Sequence, residues 1–128
     1  DLIEVINGCS LLIVNDYEFN LIQDKTGLAN GELLALAETT IVTLGGAGSR
    51  IHRATETINI PAFKAREVVD PTGAGDAYRG GLLSGLVNGY DLQTSALRGS
   101  ACASFAVECN GTQVYAFTAQ EFAGRMNA

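Results

Sequence analysis

Four consecutive residues, Gly73-Ala74-Gly75-Asp76, have types and spacing that could do chemistry. They follow an apolar approach through Val68 and Val69 and open a stretch rich in Ala, Gly and Leu that reads as helix through Asn88. Glycines at 73 and 75 let backbone approach a ligand and adopt conformations that other residues avoid. At a helix start the N–H groups of residues 73 to 76 point outward, and the helix dipole adds roughly half a positive charge there. Such a cradle suits an anion, including the charge that builds on a transferring phosphoryl group. Asp76, on the first turn, could take the proton of an attacking hydroxyl, as phosphoryl transfer to an alcohol requires. Read alone, the four residues fit equally well a tight turn whose aspartate favours the helix dipole.

Two other glycine-rich sites can be set aside. The dinucleotide fingerprint G-x-G-x-x-G would need glycine at position 78, where Tyr78 stands, and no glycine is followed by Lys and then Ser or Thr as in a P-loop. Two further segments lie at the ends of apolar runs. Asn15-Asp-Tyr-Glu18 has the spacing of an N-cap with its reciprocal Glu, and such a capped Glu at a strand's C-terminal end also faces the ligand crevice of an α/β sheet. Thr43-Leu-Gly-Gly-Ala-Gly48 reads first as a glycine hairpin turn.

The elements that must position these residues follow from periodicity. Leu11-Leu-Ile-Val14 is a short continuous apolar run, as expected of a strand buried on both faces. Asp16 to about Ala37 reads as helical, broken near Thr26-Gly27, and Thr40 to Leu44 is a second buried strand. Strand, helices, strand in that order predicts a right-handed crossover in a parallel sheet. Ser49 to Arg53 can run back as a hairpin partner, and Glu56 to Ile60 alternates as a half-exposed strand ended by Pro61. Beyond the Gly73 helix, Gly89 is placed to stop it, Asp91 caps a helix reaching about Glu108, and Thr118-Ala-Gln-Glu121 is a capping box opening a last short helix. No internal repeat, low-complexity tract or linker interrupts the 128 residues, which predicts one domain over residues 1–128.

Composition narrows the classes of function. With 47% hydrophobic and 17% charged residues the chain is globular in type. A net charge of −6, with eight Lys plus Arg, argues against general affinity for nucleic acid or anionic membrane. It does not argue against a phosphate site built from backbone N–H groups. Three cysteines, Cys9, Cys102 and Cys109, and one histidine, His52, make a zinc site a poor fit. Cys102 and Cys109, seven apart, are expected on one helix face as buried thiols of a reduced, cytoplasmic protein.

The longer pattern Asp70-x-Thr72-Gly-Ala-Gly-Asp76-x-Tyr78-x-x-Gly81 resembles the second signature of the PfkB/ribokinase family of carbohydrate and nucleoside kinases. The family has an aromatic, most often Phe, where Tyr78 stands, and Pro71 is seen in part of it, including bacterial adenosine kinases. The resemblance implies a ribokinase-like α/β fold, a mainly parallel sheet flanked by helices. It implies an anion hole at Gly73, Ala74 and Gly75 and a catalytic base at Asp76. Asn15 and Glu18 match its N-x-x-E motif, which holds Mg²⁺ largely through water, in keeping with the few protein ligands that ion takes. Thr43, Gly45 and Gly48 match T-L-G-x-x-G and imply, with Thr72, contacts to ATP. Asn110 and Gly111, in Asn110-Gly-Thr-Gln113, would lie near the adenine. A monovalent cation near the Asp70 loop is common in the family. Arg79 could reach a phosphate or lie on the helix surface.

The implied reaction is transfer of the γ-phosphoryl group of ATP to a hydroxymethyl group of a nucleoside, adenosine favoured, or of a sugar such as ribose or fructose. The resemblance covers the C-terminal part of the family. The resemblance therefore implies a fragment without the N-terminal part and the lid, which also mediates homodimerisation in full-length members, and puts independent activity of the isolated chain in doubt. Two readings of other classes compete. A non-catalytic nucleotide-binding module predicts loss of the base, yet Asp76 is present, and a dinucleotide oxidoreductase fails on glycine spacing.

Overall fold

The structure is a computed structural model that describes residues 1–109 and 117–127. The chain forms two compact units. One comprises Asp1–Leu44 with Ser49–Asn59, the other Gly45–Gly48 with Ile60–Ala128. The element order is α1 (Leu2–Ile6), β1 (Leu11–Asn15), α2 (Asp16–Thr26), α3 (Asn30–Leu34), β2 (Thr39–Thr43), a single 3₁₀ turn at Gly45–Ala47, β3 (Ser49–Arg53), β4 (Thr57–Ile60), α4 (Ala74–Val87), α5 (Leu92–Ala106) and α6 (Ala119–Met126).

The first unit is an α/β layer. Its strands run in the order β1-β2-β3-β4. β1 and β2 pair in parallel, with Leu11 opposite Thr39 and Asn15 opposite Thr43, and β3 returns antiparallel to β2, with Thr43 opposite Ser49. The expected strand–helix–strand crossover is therefore present, and the expected hairpin follows it. Helix α2 stops where glycine permits: Gly27 takes φ 74° and its N–H returns to the Gln23 carbonyl. Ile6, Val14, Phe19, Leu33 and Val42 form the buried cluster, so α1, α2 and α3 each contribute to covering β1 and β2. Burial of such side chains stabilises by about 1.5–3 kcal/mol each, before conformational entropy is set against it.

The second unit is helical. Its centre is the antiparallel packing of α4 on α5, and small residues decide how closely these helices approach. A Cβ placed on Gly81 would come within 2.9 Å of the Arg98 carbonyl and the Gly99 Cα. One placed on Gly99 would come within 2.7 Å of the Tyr78 carbonyl. The two backbones thus touch through hydrogen-only positions, and Tyr78, Leu82, Ala96 and Ala101 are buried around them. Asp91 caps α5 by accepting from the Thr94 N–H at 2.7 Å, and Thr118 caps α6 by accepting from Glu121 at 3.0 Å.

The cysteines depart from expectation. All three are free and half-buried, and Cys109 lies beyond α5, which ends at Ala106, so it shares no helix face with Cys102. Burial pushes the Cys102 thiol above its ordinary value, against the opposing pull of the Arg98 charge. Among the described residues no helix is long and apolar enough to cross a membrane.

Candidate active site

In the second unit the chain from Asp70 to Asp76 is a sequence of small local bonds. The Asp70 carboxylate accepts from the Thr72 N–H at 2.9 Å, and the Pro71 carbonyl accepts from Ala74 at 3.2 Å. Gly73 then caps α4 with φ 87°, a left-handed conformation that a side chain would strain. The first bond of the α4 ladder runs from the Ala77 N–H to the Gly73 carbonyl at 3.0 Å. The N–H groups of Gly75 and Asp76, in the first turn, therefore have no intrahelical acceptor by helix geometry. The Ala74 N–H differs from expectation: it is turned back to Pro71, a local turn bond that the glycine pattern alone did not disclose.

Gly75 separates a structural from a chemical role. Its φ is not left-handed, and a Cβ built on it would meet only Arg79 Nη1, at 3.5 Å, which is ordinary van der Waals contact. The fold does not need glycine at this position. What glycine provides there is bare backbone at the start of a 14-residue helix, beside an outward-facing carboxylate. Asp76 is that carboxylate, with its side chain 80% exposed. Arg79 Nη1 lies 3.6 Å from Asp76 Oδ1, an i,i+3 pair along the first turns of α4. An exposed pair of this kind adds little stability.

Gly45 and Gly48 bound the 3₁₀ turn in the same unit, with φ 58° and 94°. The Gly48 N–H donates to the Gly45 carbonyl at 3.1 Å, and a Cβ on Gly48 would collide with the Ile60 carbonyl. The larger cavity of the second unit, about 640 Å³ with Arg98, Cys102 and Phe122 in its wall, includes none of residues 72 to 76. A smaller one of about 370 Å³ is lined by Arg66, Glu67, Phe105, Glu108 and Cys109. Asn110 and Gly111 lie outside the described residues.

In the first unit, Asn15 and Thr43 stand opposite each other at the C-terminal ends of the two parallel strands, the edge at which open α/β sheets bind ligands. Asn15 and Glu18 form a reciprocal cap. The Glu18 N–H donates to Asn15 Oδ1 at 2.6 Å, and the Asn15 N–H donates to Glu18 Oε1 at 2.9 Å. This holds a half-buried carboxylate still at that edge. Among the described residues no group of three or more His, Cys, Asp or Glu could hold a metal by itself. A hard cation that keeps several waters and takes oxygen donors from phosphates fits the one carboxylate and one amide found here.

Sequence reasoning missed Glu108, Arg125 and Arg66. Glu108 is nearly buried, its side chain 9% exposed. Burial pushes its carboxyl up, but the Arg66 backbone N–H, the Arg125 hydrogen bond and both guanidinium charges outweigh this and leave it below its ordinary value. No local signal marks the cluster, because its members stand 42 and 17 residues apart.

Comparison with known proteins adds the remaining findings. The description "pfkB family carbohydrate kinase" matches residues 1–118. The chain is similar to the nucleoside kinase of Methanocaldococcus jannaschii, 43% identical over 112 residues that make up 88% of this chain and 37% of that protein. The crystal structure of that nucleoside kinase superposes with a TM-score of 0.84 over 92% of this chain and 40% of that one. A structure of Burkholderia thailandensis nucleoside kinase in complex with ADP-inosine gives 0.85 at 35% identity, over 99% of this chain and 43% of that one. The chain thus spans about two fifths of the length of the relatives it matches.

Proposed function

The chain belongs to the pfkB carbohydrate kinase family, and on that premise we propose that residues 1–128 act as the nucleotide-binding and catalytic part of an ATP-dependent nucleoside kinase. The acceptor is the hydroxymethyl group of a nucleoside, adenosine first. Two observations support a nucleoside over a free sugar: the nucleoside kinases among the relatives, and the Asp70-Pro71-Thr72 and Gly111-Thr112-Gln113 segments.

The observation that carries the reading is Gly75, a glycine that neither backbone conformation nor packing requires, set at the N-terminus of α4 beside exposed Asp76. In this reading Asp76 accepts the proton of the attacking hydroxyl. The N–H groups of Gly73, Gly75 and Asp76 meet the negative charge that grows on the transferring phosphoryl oxygens. Charge at that point costs no reorganisation, because α4 and its glycine cap are already in place. Thr43, Gly45, Gly48 and Thr72 contact the nucleotide, and Asn110 and Gly111 its base. Asn15 and Glu18 would hold Mg²⁺, largely through water, and the ion would neutralise charge on the phosphates.

Calorimetric titration with Mg·ATP tests this, wild type beside Gly75→Val. Binding that the substitution removes, with an unchanged circular dichroism spectrum, is the expected outcome. Equal binding by both proteins would remove the glycine turn from the site.

A further inference from the structure

Residues 61 to 73 form no helix or strand, yet this segment delivers the Gly73–Asp76 turn. It is fastened to the end of α5 at two places. The Val107 carbonyl accepts from both the Val69 N–H at 2.7 Å and the Asp70 N–H at 3.1 Å. The Glu108 carboxylate accepts from the Arg66 N–H at 2.7 Å. Glu108 is itself held from the other side by Arg125, whose Nη2 donates to the same Oε2 at 2.8 Å. Arg125 is fixed in turn. Its Nη1 donates to Ser104 Oγ at 3.0 Å, its guanidinium lies 3.7 Å from the centre of the Phe105 ring, and its side chain is 12% exposed. Arg66 Nη2, in contrast, is 3.6 Å from Oε1 on a side chain 77% exposed, so the Arg66 backbone N–H is the firmer link.

We propose that Glu108 is a positioning residue for phosphoryl transfer: its carboxylate ties the backbone of Arg66 to Arg125 on α6 and so sets where the Asp70–Asp76 turn stands. This rests on the proposed kinase reading of that turn. Two sets of short bonds, joined through the covalent backbone at 66–69 and 107–108, hold the segment. Arg125 holds Glu108, and Glu108 holds Arg66. Val107 holds Val69 and Asp70, Asp70 holds Thr72, and Pro71 holds Ala74. The segment has no helix or strand of its own, and a displacement of about 1 Å at a reacting centre can cost on the order of 10²-fold in rate.

Charge and reach are separable at Glu108. Glu108→Asp keeps the charge beside Arg125 but is one methylene too short to span to the Arg66 N–H. Glu108→Gln loses the charge but keeps an oxygen at the right distance. Steady-state kinetics on the full-length protein, at a temperature where circular dichroism shows each variant folded, are expected to give a kcat lower by roughly tenfold or more for Glu108→Asp. KM for ATP should be unchanged, and Glu108→Gln should stay within about threefold of wild type. A purely structural ion pair predicts the reverse order, and wild-type kcat in Glu108→Asp overturns the proposal. Asp76→Asn run alongside separates the two claims. If it is inactive while Glu108→Asp is normal, only the positioning role fails; if it is fully active, the reading of the turn fails with it.

Discussion

Replacing Gly75 by alanine asks directly whether that glycine serves the fold or the reaction. The added methyl meets nothing closer than Arg79 Nη1 at 3.5 Å, and the backbone there is not left-handed. Stability should therefore not fall. It should rise, by at most about 1 kcal/mol, since alanine is the better helix former and position 75 lies in the first turn of α4. Gly73→Ala, two residues earlier, should do the opposite: at φ 87° it costs about 1–2 kcal/mol. For the reaction the expectation reverses for Gly75→Ala. On the proposed reading the methyl would crowd the approach of a phosphoryl oxygen to the N–H groups of the turn, and weakening one such donor is expected to cost up to the order of 10²–10³ in kcat. Urea denaturation and initial-rate kinetics on the same preparations would show an equally or more stable protein with a kcat reduced by about that factor. A Gly75→Ala protein with wild-type kcat would refute the argument, because the glycine would then serve neither purpose.

Three further outcomes follow from the geometry. Gly81→Ala forces a Cβ to within 2.9 Å of the α5 backbone and should destabilise by about 1–3 kcal/mol in denaturant titration; a loss below about 0.5 kcal/mol would mean that α4 and α5 separate easily. Asn15→Ala removes the side-chain half of the α2 cap and should lower stability by about 0.5–2 kcal/mol, and an unchanged midpoint would show that the cap contributes nothing. Glu108 titrates lower folded than unfolded, so its stabilisation is present above the ordinary carboxylate range and is lost as pH falls through that range to the lowered value. Unfolding free energy should accordingly fall more steeply with acid in wild type than in Glu108→Gln, and parallel curves would contradict the burial and pairing described for this group.

Much of the site was legible because its signals are local. Asn15 and Glu18 are three residues apart, and both halves of their cap formed. Gly27 and Gly89 stand in left-handed conformations where the helical pattern breaks off. The run from Asp70 to Gly81 announced a glycine turn feeding a helix, and α4 starts at Ala74. What stayed hidden depends on partners distant in sequence or on turn detail. The Ala- and Gly-rich character of α4 was plain, but that Gly81 faces Gly99 across a helix pair is a tertiary fact. The diversion of the Ala74 N–H to Pro71 depends on the turn's dihedral angles, which composition does not specify. Glu108 reads in sequence as an ordinary charge near a helix end, and only folding brings Arg66 and Arg125 to it.

Transfer of labelled γ-phosphate from ATP to adenosine by the full-length protein, wild type beside Asp76→Asn, tests the central claim most directly. The account predicts labelled nucleotide product with wild type and a turnover lower by roughly 10²–10⁴-fold in Asp76→Asn, with ATP affinity little changed. Undiminished transfer by Asp76→Asn, or no transfer by wild type to any nucleoside or sugar, would contradict it.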